Sequence, residues 1–332
     1  MAESPDDHLM QVLQRQVGAV DRRVRNSGMY LHEADEIRRA AEQVPSLRRA
    51  LGLGYFVRSL TPSTGKPQFL LVFQPQDADL VVLKVYGRKR PGEGAIQRIW
   101  TAEGVRCAIT LDNGDDPTSW LLMRVVEGHN LLDEKLAGPR LQQVTTELGR
   151  TLQAAHAVRG VRVAAAKPLV DGVSNHLVNV VAALERHGYR APSGWLGLAR
   201  DMYESGRRVI LHGDLYPGNV MRDAVDGGLR LLDACAYVGD PSFDAARWAV
   251  RTGEPEHLNA AIEAWGRGEP DIDPVVATGM LGVEALMQAG VRELVKEEKA
   301  LDWAGRDPTT AAFADYSAQV LGDLRGRRTR SH

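Results

Sequence analysis

The stretch HGDLYPGN occupies residues 212–219, and fourteen residues after Asn219 a second stretch, LLD, ends at Asp233. A short apolar run leads into each stretch, which is typical of buried strands that end at polar turns. The sequence therefore predicts a His-Gly-Asp turn that presents Asp214 and Asn219, and a second strand that ends at Asp233.

These three side chains supply the groups that phosphoryl transfer from ATP requires, because that reaction depends on positioning and charge neutralisation. Asp214 is the candidate base that orients the attacking hydroxyl and accepts its proton. Asn219 and Asp233 are candidate ligands of Mg2+, which prefers oxygen donors. Protein kinases use the same spacing, HRDxxxxN followed by DFG, although Gly213 replaces the Arg here and DAC replaces DFG. A plain turn between two strands is the alternative interpretation.

A lysine inside an apolar strand is the candidate anchor for the ATP phosphates. Lys84 lies in VVLKVY, residues 81–86, where a buried ammonium is costly without an ionic partner. Glu93, at the start of the next predicted helix, is the expected partner, and Glu103 is a weaker competitor. A lysine that points to solvent from an edge strand is the alternative.

Two further segments are candidates for nucleotide binding. A turn rich in turn formers precedes the lysine strand, and its residues Ser63, Thr64 and Gly65 are predicted to lie over the nucleotide phosphates. Because the turn has a single glycine, a plain hairpin turn is the alternative. Farther along, the backbone of Met123 and Val125 is expected to pair with the adenine edge.

Three polar residues near the turn are predicted to support it. His212 is expected to anchor the turn through hydrogen bonds. Asp240 and Asp244, in GDPSFDAARW, are expected to cap a helix or to support the catalytic loop. His156, in LQAAHAV, is predicted to pack on a helix and not to act in catalysis.

With these residues in view, the chain resembles the aminoglycoside phosphotransferase family over about residues 52–320, through HGDLYPGN, LLD, GDPSFD and LGRTLQAAHAV. It is most similar to the streptomycin 6-kinase and hydroxyurea phosphotransferase subgroup, where a helix Glu precedes a Trp by seven positions, as Glu93 precedes Trp100. The resemblance implies that Asp214 is the base, that Mg2+ is held as proposed above, and that Lys84 paired with Glu93 anchors the phosphates.

The resemblance and the hydrophobic patterns together predict an α+β, bilobal protein-kinase-like fold. Residues 1–50 form a helical N-terminal extension. Residues 51–126 form a small N-lobe with an antiparallel sheet and the phosphate anchor. Residues 127–332 form a larger, mainly helical C-lobe with the catalytic loop and the substrate-binding helices.

An acidic excess near the C-terminus suggests the acceptor. Residues 254–315 contain 13 Asp plus Glu and 5 Lys plus Arg, and such a surface attracts polycations. We therefore expect a cationic, hydroxylated antibiotic as the acceptor, although a solvated helix face is the alternative for each acid. The candidate contacts are Tyr216, which stands where many family members have His, together with Glu284, Glu293, Glu297 and Asp302.

The bulk composition restricts the other possibilities. A net charge of −2 gives no basic field for nucleic acid. Two cysteines indicate a reducing cytoplasm, and the absence of an 18-residue apolar run argues against a membrane span.

The expected ligands are ATP (or GTP), Mg2+ and a small molecule, with the chain as a monomer or homodimer.

Three other functions remain as alternatives. The first is a housekeeping kinase of a small metabolite similar to choline or homoserine. The second is a non-catalytic binding protein, against which the presence of Lys84, Asp214, Asn219 and Asp233 argues. The third is a regulated protein kinase, which is weaker because no Ala-Pro-Glu segment follows Asp233.

Overall fold

A computed structural model describes residues 5–27, 31–61, 67–90, 92–158, 166–235, 237–298 and 307–330. The chain divides into two compact units, one of residues 1–101 and 108–127 and the other of residues 102–107 and 128–332. The first unit contains an antiparallel sheet and the second is mainly helical. The predicted α+β fold class is therefore confirmed.

The first unit contains a five-stranded antiparallel sheet and three helices. Two of the helices precede the sheet in the sequence, and the third lies between its third and fourth strands. The strand order is β1-β2-β3-β5-β4. The elements are the helices α1 (Pro5–Ser27), α2 (His32–Ala50) and α3 (Glu93–Ala102), and the strands β1 (Tyr55–Ser59), β2 (Gln68–Gln74), β3 (Val81–Tyr86), β4 (Thr110–Gly114) and β5 (Trp120–Arg124).

The helices α1 and α2 cover one face of this sheet. Successive side chains of a strand point to opposite faces, so Leu83 and Val85 share a face that Lys84 does not. Leu83 and Val85 are buried in a core that also contains Ile37 and Val44 of α2. The helical segment at residues 1–50 is therefore part of the same compact unit as the sheet.

The end of β3 lies so close to α2 that no side chain fits at Gly87. A Cβ atom there would lie 1.8 Å from the carbonyl oxygen of Glu36. Nearby, Arg39 Nε donates to the carbonyl oxygen of Gly87 at 3.0 Å. This close contact fixes α2 on the strand that carries Lys84.

The second unit contains two small sheets among seven helices of the described residues. One sheet has the order β10-β9-β6 and the other has the order β7-β11-β8. The strands are β6 (Gly128–Asn130), β7 (Lys167–Pro168), β8 (Val209–Leu211), β9 (Val220–Asp223), β10 (Leu229–Leu231) and β11 (Tyr237–Gly239). The helices are α4 (Gly138–Ala157), α5 (Leu169–Arg186), α6 (Trp195–Glu204), α7 (Ser242–Thr252), α8 (Leu258–Gly268), α9 (Pro274–Glu298) and α10 (Pro308–Arg330).

Helix α9 packs against five other helices of this unit, namely α5, α6, α7, α8 and α10. By length and composition alone, its segment Pro274–Glu297 would suffice to cross a membrane. However, 67% of the apolar window is buried inside the structure, as expected of a core helix. The helix also carries the buried acids Glu284 and Glu293. Helix α9 is therefore weak evidence for a membrane span.

Candidate active site

The predicted phosphate anchor is a buried ion pair in the first unit. Lys84 is 1% exposed, and its Nζ lies 2.8 Å from Oε1 of Glu93 at the start of α3. The hydroxyl of Tyr86 donates to the other carboxylate oxygen of Glu93. The Lys84 ammonium also lies 4.8 Å from the centroid of the Tyr86 ring. Tyr86 is two residues from Lys84 in β3 and therefore shares its face of the sheet.

The structure gives less information on the other nucleotide-binding candidates of the first unit. Ser63, Thr64 and Gly65 lie outside the described residues. Met123 lies inside β5, where it pairs with Val82 of β3 and Thr110 of β4. The N–H of Val125 donates to Leu80 O at 3.3 Å. An adenine contact through that N–H group would require this bond to break.

The loop that the sequence predicts to be catalytic follows β8 in the second unit, and its second residue is left-handed. Gly213 has a φ of 79°, and a Cβ atom there would lie 2.6 Å from the ring of Tyr237. Only glycine adopts this conformation without strain. Asn219 then folds back, and its Nδ2 donates to Asp214 O at 2.7 Å and lies 3.4 Å from Asp214 Oδ2. The Asp-x4-Asn spacing thus brings Asp214 and Asn219 into contact.

His212 ties the loop to the strand segment that carries Asp233. Its Nε2 donates to Leu232 O at 2.7 Å, and its own carbonyl accepts from Cys235 N at 2.6 Å. The Leu232 N–H donates to Asn219 O at 2.9 Å, which places Asp233 next to Asn219 along the backbone. These contacts give His212 an anchoring role in the loop.

Asp244 holds the loop from the first turn of α7. Its carboxylate accepts from the backbone N–H groups of His212 at 2.7 Å and of Gly213 at 2.9 Å. Asp240 instead caps α7, because its Oδ1 accepts from Ser242 N at 2.9 Å. Helix capping therefore describes Asp240, whereas Asp244 supports the loop directly.

A buried histidine lies between two carboxylates behind the loop. His156 Nε2 lies 3.1 Å from Asp244 Oδ2, and its Nδ1 lies 2.7 Å from Glu269 Oε1. Burial would lower the pKa of His156, but the charges and hydrogen bonds of Glu269 and Asp244 raise it to about 9. Burial would likewise raise the pKa of Asp244, but the hydrogen bond from His156 lowers it. Asp244 is therefore a charged acceptor for the loop.

The proposed metal ligands have a donor set that fits Mg2+. The amide nitrogen of Asn219 is directed to Asp214 O, and among the described residues no hydrogen bond reaches its Oδ1. Asp233 has a φ of 55°, a left-handed conformation that is strained for a residue other than glycine. Together the two residues offer an amide and a carboxylate oxygen, which are hard ligands suited to Mg2+.

The predicted acidic contacts for the acceptor have partners inside the protein. Glu284 Oε2 lies 2.8 Å from Arg247 Nη1. Glu293 pairs with Lys296 at 2.7 Å, and Glu297 pairs with Arg186 at 2.8 Å. Each of these carboxylates thus has a cationic partner within the protein, and their contact with an acceptor stays a prediction. Asp302 lies outside the described residues.

Tyr216 packs on its own loop. A Cβ atom at Gly218 would lie 2.3 Å from the Tyr216 ring, so the ring covers that glycine. The Gly218 carbonyl in turn accepts from Asn130 Nδ2 at 2.7 Å. Tyr216 is half-buried in this position, two residues from Asp214.

Comparison with known proteins identifies the family. A model of the phosphotransferase enzyme family (APH) matches residues 81–275, which include Lys84, Asp214, Asn219 and Asp233. The chain belongs to this family. No curated protein matches the chain.

Solved structures of the same fold include kinases of several kinds. Amicoumacin kinase hAmiN, in complex with AMP-PNP, Ca2+ and Ami, is 12% identical with a TM-score of 0.55 over 85% of this chain and 94% of its own. Choline kinase LicA from Streptococcus pneumoniae is 14% identical with a TM-score of 0.53 over 85% and 99%. A choline/ethanolamine kinase family protein from Mesorhizobium loti is 16% identical with a TM-score of 0.51 over 85% and 92%. At identities this low, the comparison shows that this chain and these proteins share a fold.

Proposed function

We propose that this phosphotransferase is an ATP-dependent kinase that transfers the γ-phosphoryl group to a hydroxyl of a small molecule. The observation that carries the proposal is the loop in which Asp214 and Asn219 are in contact and Asp244 binds the backbone N–H groups of His212 and Gly213. Such fixed placement is the main contribution of a protein to phosphoryl transfer.

In the proposed reaction, the acceptor oxygen bonds to the γ-phosphorus while the bond to the bridging oxygen of ADP breaks. Asp214 orients the acceptor hydroxyl and takes its proton. Lys84, held by Glu93, binds ATP phosphate oxygens as a point charge. Asn219 and Asp233 would hold Mg2+, which when bound neutralises charge on the phosphates.

Two acceptor classes follow from the sequence. The first is a cationic antibiotic, as for the streptomycin 6-kinase subgroup that the motifs resemble. The acidic excess in residues 254–315 supported this class, and the ion pairs of Glu284, Glu293 and Glu297 reduce that support. The second is a small metabolite of a housekeeping kinase. Growth of a sensitive host that expresses the protein, against a panel of antibiotics, separates the two classes.

The catalytic assignment is tested by turnover of ATP in the presence of Mg2+. We expect Asp214→Ala to lower kcat by about 100-fold or more, because a positioned general base contributes that much. The matched control is Asp323→Ala, which removes an exposed carboxylate from α10 and should leave kcat unchanged. Turnover that survives Asp214→Ala at the wild-type rate would refute the role of Asp214.

A further inference from the structure

Two arginines lie one helical turn apart on α7, the helix that holds the catalytic loop. Residues four positions apart share a helix face, so Arg247 and Arg251 are neighbours. The first turn of the helix contains Asp244, which binds the loop N–H groups, and the helix packs against the loop turn Pro217–Asn219. The two guanidinium groups are therefore placed on the helix that supports Asp214.

Arg247 is held in place from several directions. Its Nη1 lies 2.8 Å from Glu284 Oε2, and Glu284 Oε1 accepts from the hydroxyl of Tyr203 at 2.6 Å. The guanidinium also lies 5.2 Å from the centroid of the Phe243 ring. Its Nε, however, is buried without a hydrogen-bond partner among the described residues. A buried N–H without a partner is costly, and a ligand could satisfy it.

Arg251 has even fewer partners. Its side chain is half-buried. Within the part of the chain that the structure describes, it makes no hydrogen bond and no ion pair, which contrasts with Arg247 and its bond to Glu284. A guanidinium carries five N–H donors in a planar fork that matches carboxylate and phosphate oxygens. A half-buried fork without a protein partner is suited to an external anion.

The charge of Asp214, the proposed base, acts on both arginines. Burial, and next the like charge of Arg247, lower the pKa of Arg251, while the charges of Asp214 and Glu284 act in the opposite direction. Burial would lower the pKa of Arg247, but the charges of Glu284 and Asp214 raise it. Burial and Arg247 also lower the pKa of His176 on α5. The two guanidinium groups thus repel each other, and an anion bound by both would offset that repulsion.

We propose that Arg247 and Arg251 form a subsite for an anionic oxygen group of the acceptor, so that the substrate is an alcohol carrying a carboxylate or a phosphate. This inference rests on the proposed function, because the subsite would bind the same molecule whose hydroxyl gives its proton to Asp214. It also assigns the opposite charge to the acceptor from the one that the acidic C-terminal segment suggested.

The subsite is tested by anion binding to the full chain saturated with AMP-PNP and Mg2+. The probes are malonate for a carboxylate and methyl phosphate for a phosphate, each against sodium chloride at equal ionic strength. Thermal unfolding reports binding, because a ligand that binds only the native state raises Tm by an amount that grows with the ratio of its concentration to its Kd. The variants are Arg251→Gln and Arg251→Lys, with Arg267→Gln as the control that removes an exposed arginine from the same unit.

We expect at least one probe to raise the Tm of the wild type and of Arg267→Gln. In Arg251→Gln the apparent Kd should rise by about tenfold or more, since a charge-assisted hydrogen bond is lost. Arg251→Lys, which keeps the charge but loses the fork, should be intermediate. The probe that binds more tightly distinguishes a carboxylate from a phosphate on the acceptor.

Three results would overturn the subsite. The first is no Tm response to either probe, and the second is an equal response in Arg251→Gln and Arg267→Gln. The third is a loss of AMP-PNP affinity in Arg251→Gln with ADP affinity retained, which would assign the arginine to the γ-phosphoryl group. Failure of the proposed function looks different: the wild type would lack ATP turnover while the probes still bound through Arg251.

Discussion

At the scale of single residues, the buried carboxylate of Glu93 depends on two donors, and one of them is testable in isolation. We expect Tyr86→Phe to lower the free energy of unfolding by about 1–3 kcal/mol, because Glu93 stays buried and loses a hydrogen bond. The KM for ATP should also rise, since Glu93 positions Lys84. Urea denaturation and steady-state kinetics measure the two effects.

The matched control for that experiment is Tyr55→Phe in the same unit. Tyr55 is 55% exposed on β1, so water replaces whatever its hydroxyl contacts. If Tyr86→Phe and Tyr55→Phe changed stability and KM equally, the hydroxyl of Tyr86 would have no special part in holding Glu93.

The contacts between residues were most readily predicted where the sequence separation is short. Lys84 and Glu93 are nine residues apart, and the cost of a buried lysine pointed to its partner. Asp214 and Asn219 meet within a single turn. His156, by contrast, is 88 residues from Asp244 and 113 from Glu269, and nothing local encodes that contact. It depends on how α4, α7 and α8 pack.

At the scale of elements, the backbone of α2 lies directly against Gly87 at the end of β3. We expect Gly87→Ala to lower the free energy of unfolding by about 1–3 kcal/mol, because the added methyl group overlaps the Glu36 carbonyl and the helix must move. Since β3 carries Lys84, nucleotide affinity should fall as well. Chemical denaturation and titration with AMP-PNP measure these changes.

Gly18→Ala in α1 is the comparison for Gly87→Ala. A Cβ atom at Gly18 would make only an ordinary 3.5 Å contact with Arg22, so alanine should stabilise the helix by about 0.5–1 kcal/mol. A neutral or stabilising effect of Gly87→Ala would mean that α2 yields to the methyl group without cost.

Element types followed from hydrophobic periodicity, but two elements show its limits. Strand β9, with the sequence VMRD, has only two apolar residues, and its pairing with β10 and β6 defines it. Helix α5 begins at Leu169 and contains Gly172 in its first turn. Gly172 weakens the local helix signal. The structure needs that glycine, because a Cβ atom there would lie 2.1 Å from the ring of Tyr237.

At the scale of the whole molecule, the charged His156 between two buried carboxylates makes stability depend on pH. Its pKa is about 9 in the native state, against roughly 6.5 in the unfolded chain. The native state therefore holds the proton more tightly. The resulting stabilisation is fully present below pH 6.5 and is lost as the pH rises through 9.

We expect the wild type to lose about 3 kcal/mol of stability through this group between pH 6 and pH 9.5. His156→Gln should be less stable at pH 6, because two carboxylates lose their shared cation, but its stability should change less across the same range. Urea denaturation at both pH values measures the difference, with His257→Gln as a control at an exposed site.

The comparison between the wild type and His156→Gln isolates His156, because the other groups that titrate between pH 6 and pH 9.5 are present in both proteins. The variant His257→Gln controls for the loss of a histidine at an exposed site. Equal losses in all three proteins would show that the ion pairs with Asp244 and Glu269 do not hold the proton. A smaller loss in His156→Gln alone would link the stability of the second unit to the same Asp244 carboxylate that binds the catalytic loop.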